Sequence, residues 1–303
     1  MRLKSLVSAT IILNHLNGDE EMKRTIAGLI ESNLKSLAKK YQKLKFISPS
    51  LTCKFESFLA LLSGRDVRFY YNKNSLIYTA VEGHFERYFF NLERGLRLYK
   101  KGISERGQFL FHSYCLQNLE FEDGDVVIDC GANSGDLSIE LLKSCPKIKY
   151  IGVEPAPQDF QALSKNVTFE NATLLNKALG QKNGELRFYI SSDKGDSSIL
   201  EPPVYTHTID VEVVRVDTLA KQLGLKQIKL LKIEAEGFEP EILTGARGAF
   251  SIIEYISVDG GYERGLQSEQ TFTAITNLLL NNDFEIIDIY FPWHRALFKN
   301  KLL

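Results

Sequence analysis

The residues best suited to chemistry follow a short apolar run, Val126–Ile128. Asp129 comes directly after this run, and Gly131 and Gly135 complete the pattern D-x-G-x-x-x-G. A second apolar run downstream ends at the carboxylate of Glu154. A buried strand, a glycine turn, a helix and a second strand ending in a carboxylate are typical of a nucleotide-binding half of a doubly wound sheet. The glycines let the backbone approach a ligand, and the carboxylate can accept both ribose hydroxyl protons.

The spacing of this motif distinguishes between two possible cofactors. Dinucleotide-binding folds use G-x-G-x-x-G, whereas here Ser134 and Asp136 occupy the positions where further glycines would cradle a pyrophosphate. The carboxylate of Asp129 would repel a diphosphate but suits a sulfonium or an α-ammonium group, which favours S-adenosylmethionine over NAD. The alternative is an ordinary strand-to-helix turn whose glycines serve only the backbone geometry. The residues predicted to bind the cofactor here are Asp129, Gly131, Ala132, Asn133, Gly135 and Glu154.

Polar residues also follow three later apolar runs. Asn176 and Ala178 follow the third predicted strand, where the amide could bond an adenine edge and the alanine would leave room for the ring. Glu234 and Glu236 follow the fourth strand, and Asp259 ends the fifth. In open α/β sheets ligands bind outside the carboxyl ends of the strands, so we expect these side chains to converge on one pocket. Asn176 and Ala178 are predicted to bind the cofactor, and the three carboxylates are predicted to be catalytic.

A hydroxyl acceptor would need a base, or close positioning against the sulfonium, because an alcohol is a poor nucleophile. Asp259, Glu236 and His207 are the candidate bases. Glu234 ends a buried strand, so it should have a partner, either the cofactor ammonium or Lys232. The alternative for Glu234 and Glu236 is a surface role at the start of the next helix. An oxygen-only set without a histidine pair argues against a metal ion, and no metal site is predicted.

Strands and helices alternate after residue 125, which predicts a parallel α/β sheet. Two other β-rich stretches, 185–190 and 208–216, flank a polar loop over 191–205. Long loops inside compact domains are usually functional, so we expect this loop to close over the acceptor. The prediction for residues 116–303 is a Rossmann-like, seven-stranded sheet of the class I methyltransferase type. The core strand candidates are 126–130, 149–153, 173–176, 228–233, 252–258, 284–291 and 296–299.

The preceding residues, 1–115, are predicted to form a mainly helical accessory region. Apolar residues at helical spacing predict a helix over 20–46, and a hairpin is predicted for 67–71 and 76–81. The aromatic-rich segment 84–119 is interpreted as helical. Its aromatic side chains are most simply core, with stacking against a sugar as the alternative for one or two of them.

Composition excludes some classes of protein. Hydrophobic content of 44% and charged content of 25% are ordinary for a globular protein, and a net charge of -1 argues against a dedicated nucleic-acid binder. The four cysteines have no metal-ligand spacing, which favours a reduced, cytoplasmic protein. No apolar run is long enough to cross a bilayer. Residues 1–13 are interpreted as a docking helix, with peripheral membrane contact as the alternative.

Five motifs, taken in order, resemble the FkbM-type methyltransferases over roughly residues 120 to 260. The resemblance implies S-adenosylmethionine-dependent O-methylation, usually of hydroxyls on glycans or natural products. Two positions depart from the usual pattern, since Glu234 stands where the family commonly has aspartate and the fifth strand ends in Asp259 followed by two glycines. The matching segments are Ile128–Gly135, Val153–Pro155, Asn176–Gly180, Val216–Leu219 and Leu231–Glu239.

We therefore expect a methyltransferase that acts on a hydroxyl, that of a sugar in a polysaccharide or glycolipid. Carboxylates and hydroxyl donors around a site suit a polyol better than a flat aromatic acceptor, because each sugar hydroxyl needs a partner when desolvated. An NAD or nucleotide-sugar oxidoreductase is a weaker alternative because G-x-G-x-x-G is missing. The second alternative is a non-catalytic module that keeps the fold as a scaffold, which the large N-terminal region suggests.

Overall fold

The computed structural model of the chain describes residues 48–191 and 197–303. The helix expected over 20–46 and the docking helix expected over 1–13 lie outside these residues. Residues 56–303 form one compact unit. Within the described ranges, no helix combines the length and the apolar character that crossing a membrane requires.

The elements of the described residues alternate between helix and strand after residue 125, as predicted. The helices are α1 (Pro49–Leu62), α2 (Leu92–Tyr99), α3 (Ile103–Ser113), α4 (Ser138–Ser144), α5 (Pro157–Asn166), α6 (Val216–Gln222), α7 (Glu239–Ala246) and α8 (Phe272–Leu280). Short 3-10 helices lie at Leu116–Asn118, Arg247–Ile252 and Phe291–Trp293. The strands are β1 (Val67–Asn72), β2 (Ile77–Glu82), β3 (Phe85–Phe89), β4 (Val126–Cys130), β5 (Lys149–Val153), β6 (Ala172–Leu175), β7 (Ala178–Leu179), β8 (Gly184–Ile190), β9 (His207–Val214), β10 (Ile228–Ile233), β11 (Ile253–Asp259), β12 (Tyr262–Arg264), β13 (Glu269–Gln270), β14 (Phe284–Tyr290) and β15 (Arg295–Asn300).

The central sheet has seven strands in the order β6-β5-β4-β10-β11-β15-β14. The five strands from β6 to β11 are parallel, whereas β15 runs antiparallel to both of its neighbours. Every residue of β4 is buried, as expected for a strand covered by helices on both faces. The predicted Rossmann-like fold of the class I methyltransferases is confirmed, and each of the seven core strands lies within one residue of its predicted bounds.

The order of the strands reverses at β4. The chain builds outward from β4 through β5 to β6, and then returns to place β10 and β11 on the other side. Such a switch leaves a crevice at the carboxyl ends of the two strands that flank it. The fold therefore places the turn after β4 and the turn after β10 beside each other.

The region before residue 116 differs from its prediction in one element. The predicted hairpin is confirmed as β1 and β2, which pair antiparallel. Residues 85–89, interpreted as helical, are strand β3, which adds to β2 and completes a three-stranded sheet. The physical reason is a period of two, since Arg87 and Phe89 are buried while Glu86 is exposed and Tyr88 is only partly buried.

Helix α3 packs into the core beneath the central sheet. Leu110 and Tyr114 belong to the same buried cluster as Val127 and Leu230 of the sheet. The hydroxyl of Ser257 donates a hydrogen bond to the carbonyl oxygen of Tyr114 at 2.7 Å. The division between 1–115 and 116–303 stays a prediction, and α3 is tied directly to the strands on which the site is built.

Candidate active site

A cavity of about 560 Å³ opens at the carboxyl ends of β4, β5 and β10. This volume is typical of a small-molecule site. Helices α2 and α3 contribute further wall through Arg94 and Phe109, and the start of β15 contributes Arg295. The predicted site residues that line it are Gly131, Asn133, Glu154, Ala178, Glu234 and Glu236.

The glycine turn after β4 is fixed to both neighbouring strands. Gly131 has a φ of +72°, and a Cβ at this position would collide with the carbonyl oxygen of Glu234. The backbone N–H of Gly131 donates to the carbonyl oxygen of Val153 at 3.0 Å. The N–H of Asn133 donates to the carboxylate of Glu154 at 2.8 Å. Only glycine lets the end of β4 approach β10 this closely, which leaves the cavity open above the turn.

Glu154 is a buried carboxyl group on the cavity wall. Its second oxygen accepts a hydrogen bond from the N–H of Ala156 at 2.8 Å. Burial and the nearby charge of Asp159 raise the pKa of Glu154 to about 8, although the two backbone donors and Arg94 oppose the shift. A group of this kind changes its ionisation readily when a ligand brings hydrogen-bond donors or positive charge.

Asp129 lies beneath the glycine turn and does not line the cavity. The residue is 1% exposed, its Oδ1 lies 3.0 Å from Nζ of Lys232, and its Oδ2 accepts from the hydroxyl of Tyr150 at 2.7 Å. Nζ of Lys232 also donates to the carbonyl oxygens of Cys130 (3.1 Å) and Gly131 (3.0 Å). Because a buried carboxylate is stable only with a partner, Asp129 pairs with this lysine and so supports the turn from behind.

Glu234 sits between two cations. Its Oε1 lies 2.7 Å from Nη2 of Arg295, and its Oε2 lies 3.3 Å from Nζ of Lys232, which confirms the predicted lysine partner. Burial opposes ionisation, but Arg295 and Lys232 outweigh it and hold the pKa of Glu234 at about 2. Glu234 is therefore ionised at neutral pH and is too weak a base to take a proton from a hydroxyl.

Asp259 lies behind Arg295 and not on the cavity wall. Its carboxylate accepts from Nε of Arg295 at 2.7 Å and from the N–H of Gly261 at 2.9 Å. The same guanidinium donates to the hydroxyl of Ser113 at 2.6 Å, so its donors are directed to three partners including Glu234. This placement corrects the expectation that Asp259 faces the acceptor, because its oxygens are engaged in holding Arg295.

Glu236 occupies a constrained turn on the cavity wall. It is not a glycine, yet its φ is +50°, and its carbonyl oxygen accepts from the hydroxyl of Ser198 at 3.0 Å. The next residue, Gly237, accepts from Nη1 of Arg264 at 2.6 Å and donates to Glu239 at 3.0 Å. A non-glycine residue that its surroundings hold at a positive φ is often found at a functional site. Ser198, in the described part of the segment after β8, thus contacts the site, and the closure of the 191–205 loop over an acceptor stays a prediction.

Glu263, on β12, lines the same wall as Glu236. The Glu263 residue is exposed at this wall, but its carboxyl group is partly desolvated, and this desolvation, with the charges of Asp259, Glu234 and Glu239, raises the pKa of Glu263 to about 8, while a hydrogen bond with Glu236 opposes the shift. The two carboxyl groups are therefore hydrogen-bonding neighbours on the cavity wall. The sequence pattern did not single out Glu263, since it follows no strand of the central sheet.

Ala178 and Asn176 have different positions at the next strand end. Ala178 is buried and lines the cavity together with Phe188 of β8, which leaves an apolar slot there. Asn176 is exposed, and its amide donates to the carbonyl oxygens of Glu154 at 2.8 Å and Pro155 at 3.1 Å. Asn176 therefore steadies the turn after β5, and does not line the cavity.

Three predicted residues lie away from the cavity wall. Ala132 is buried behind the turn, and Gly135, with a φ of +81°, packs against Leu163. His207 is exposed and borders a second cavity of about 240 Å³, where its Nδ1 lies 3.0 Å from the hydroxyl of Thr206. Over residues 48–191 and 197–303, no cluster of three or more histidine, cysteine or acidic side chains is arranged to hold a metal ion.

Arg295 is the residue that sequence reasoning missed most directly. The sequence signal that could have identified Arg295 is its charge at the start of the segment 295–300, whose other residues are mostly apolar. A buried charge in such a strand requires a partner, and the carboxylates after β10 and β11 supply two. The sequence did not indicate that these strands would be neighbours.

Comparison with known proteins places this geometry in a family. The methyltransferase FkbM domain matches residues 129–286. The 2-O-methyltransferase NoeI of Sinorhizobium fredii is 24% identical over 215 residues, covering 65% of this chain and 87% of that protein. The hexuronic acid methyltransferase AglP of Haloferax volcanii is 26% identical over 183 residues, covering 55% of this chain and 72% of that protein.

A solved structure also aligns with this chain. The crystal structure of an S-adenosylmethionine-dependent methyltransferase from Aquifex aeolicus aligns with a TM-score of 0.39 and 10% sequence identity, covering 67% of this chain and 90% of that one. The family match covers more than half of the chain and includes the turns after β4, β5 and β10 that line the cavity. The chain belongs to the FkbM methyltransferase family and is an S-adenosylmethionine-dependent methyltransferase.

Proposed function

We propose that this methyltransferase transfers its methyl group to a hydroxyl of a sugar. The observation that carries the proposal is the carboxyl pair of Glu236 and Glu263 on the cavity wall, beside the ionised Glu234. A hydroxyl must lose its proton as it is methylated, and a carboxyl pair in which the pKa of Glu263 is raised to about 8 can accept it. The names of two relatives, a 2-O-methyltransferase and a hexuronic acid methyltransferase, support the same class of acceptor.

The cofactor end of the cavity has the groups that S-adenosylmethionine requires. Glu154 is proposed to accept hydrogen bonds from the ribose hydroxyls, and the slot beside Ala178 is proposed to hold the adenine. The open space that Gly131 leaves, bordered by Asn133, would take the methionine end. Asp129 acts on this end indirectly, through Lys232 and the turn. When bound, the cofactor supplies a methyl group on a positively charged sulfur.

The proposed reaction balances with the bound cofactor as methyl donor and these residues as proton acceptor. The acceptor oxygen forms a bond to the methyl carbon, the bond between that carbon and sulfur breaks, and its electron pair remains on sulfur. The hydroxyl proton passes to the pair formed by Glu236 and Glu263 and then to water. Glu234 stays ionised throughout and contributes negative charge near the reacting groups.

The test is methyl transfer from labelled cofactor to a panel of methyl glycosides of hexoses, 6-deoxyhexoses and hexuronic acids. We expect at least one sugar to gain a methyl group on oxygen, located by mass spectrometry of the product. Catechol is included as a flat aromatic control. Tight binding of S-adenosylhomocysteine with no transfer to any sugar would favour the scaffold alternative, and transfer to catechol alone would reject the sugar.

The affinity for S-adenosylhomocysteine is expected to rise with pH because Glu154 must ionise to accept two ribose hydroxyls. With a pKa of about 8, the ionised fraction is small at pH 7 and nearly complete at pH 9, so the gain is about tenfold. Calorimetry at the two pH values measures it. Glu154→Gln should remove this gain, while the ionisations of the ligand itself remain common to both proteins. An equal pH dependence in the two proteins would contradict the assignment of Glu154.

A further inference from the structure

The chain contains a single tryptophan, Trp293, and the fold leaves it half exposed on the wall of the active-site cavity. It ends the 3-10 helix that joins β14 to β15. With 50% of its surface exposed inside the cavity, the indole is available for contact with a ligand.

The ring of Trp293 is held in place by two neighbours. Phe109 of α3 meets it edge to face, with ring centroids 5.6 Å apart and an angle of 68° between the planes. The guanidinium of Arg295 lies over the ring, 5.1 Å from its centroid. Because Arg295 is itself buried and fixed by Glu234, the indole has a defined orientation while half of its surface stays accessible.

The position of this ring relative to the reacting groups is equally defined. Arg295 contacts both the indole and the carboxylate of Glu234, so a single side chain separates the aromatic surface from the centre of the site. Glu236 and Glu263 line the same cavity. A ligand resting on Trp293 would therefore have its polar edge close to the carboxyl groups that the proposed reaction uses.

We infer that Trp293 is the stacking face for the pyranose ring of the acceptor, an inference that rests on the proposed function. The face of an indole carries negative charge density, which attracts the polarised C–H groups of a sugar face. The hydroxyls of that sugar project from its edge, where Glu236, Glu263 and Arg106 can supply partners. A flat aromatic acceptor would also stack, but it would leave these polar groups without partners.

The single tryptophan makes the inference directly measurable. Methyl glycosides of hexoses and hexuronic acids, added in the presence of S-adenosylhomocysteine, should shift or quench the intrinsic fluorescence in a saturable way. A panel in which catechol changes the fluorescence and no sugar does so would overturn the inference. A sugar that binds in this assay but is never methylated would overturn the proposed function and leave the stacking site standing.

Substitutions supply the second measurement. Trp293→Ala is expected to raise the KM of the methylated sugar by about tenfold, the equivalent of one lost stacking contact, and to leave the affinity for S-adenosylhomocysteine unchanged. Trp293→Phe should recover most of the loss. Phe291→Ala is the matched control, because Phe291 lies two residues away, is 75% exposed and is not on the cavity wall. An unchanged KM in Trp293→Ala, or an equal loss in Phe291→Ala, would reject the stacking role.

Discussion

Replacing Glu236 with glutamine is expected to lower kcat on the methylated sugar by about 100-fold, the usual loss when a general base is removed. Glutamine keeps the size of the side chain but cannot accept the hydroxyl proton. The affinity for S-adenosylhomocysteine should stay within about twofold, because a group that acts only in the transition state does not contribute to cofactor binding. Steady-state kinetics and calorimetry on the same preparation measure the two effects.

The pH profile separates a base from a structural residue. At saturating S-adenosylmethionine, where the effect of Glu154 on cofactor affinity no longer contributes, kcat/KM of the native protein for the sugar should rise with pH through about 8 and then level off, because ionised Glu263 makes its neighbour Glu236 the stronger base. The activity is therefore lost as pH falls below that value. Glu263→Gln should abolish the rise near pH 8. Glu269→Gln, on strand β13 of the same small hairpin, is exposed and should keep the native profile. A Glu263→Gln profile that still rises near pH 8 would exclude the pair as the base.

Replacing Arg295 with methionine is expected to lower the free energy of unfolding by about 3–5 kcal/mol, the usual cost of breaking a buried ion pair from one side. Arg295 is 2% exposed and holds Asp259 and Glu234, each at 2.7 Å. The substitution leaves both carboxylates without their main cation, and that of Asp259 is buried. Urea unfolding at neutral pH measures the change.

Two further variants check this explanation. Arg68→Met removes a cation whose pair with Asp66 is well exposed, and it should cost less than about 1 kcal/mol. The double variant Arg295→Met with Asp259→Asn should recover part of the stability, because it removes the charge left without a partner. If Arg295→Met and Arg68→Met cost the same, the buried network does not stabilise the fold as described.

The sequence by itself determined the central sheet and the location of the cavity. Strands such as β4 are buried on both faces, so they appear as continuous apolar runs whose ends can be read to within one residue. Parallel strands place their carboxyl ends at one edge of the sheet, and this rule alone brought Gly131, Glu154 and Glu234 onto one cavity.

The tertiary structure decided what each polar side chain faces. Asp129 and Asp259 lie at the carboxyl ends of buried strands, and Glu234 directly follows another such strand. Glu234 lines the cavity, whereas the oxygens of Asp129 and Asp259 are directed to Lys232 and Arg295. A strand-end position gives the edge of the sheet and not the direction of the side chain. The cation that each carboxylate meets depends on which strands become neighbours.

Strands β14 and β15, at the edge of the sheet, show most clearly what could not be predicted from the sequence. Strand β15 was predicted, but its insertion between β11 and β14 was not, because an antiparallel neighbour leaves no mark in the apolar pattern of either strand. That insertion brings Arg295 and Trp293 to the end of β10, some sixty residues earlier in the chain. Local patterns determined the elements and the end of the cavity at Gly131 and Glu154, whereas the pairing of distant strands decided the charges and the aromatic surface near Glu234.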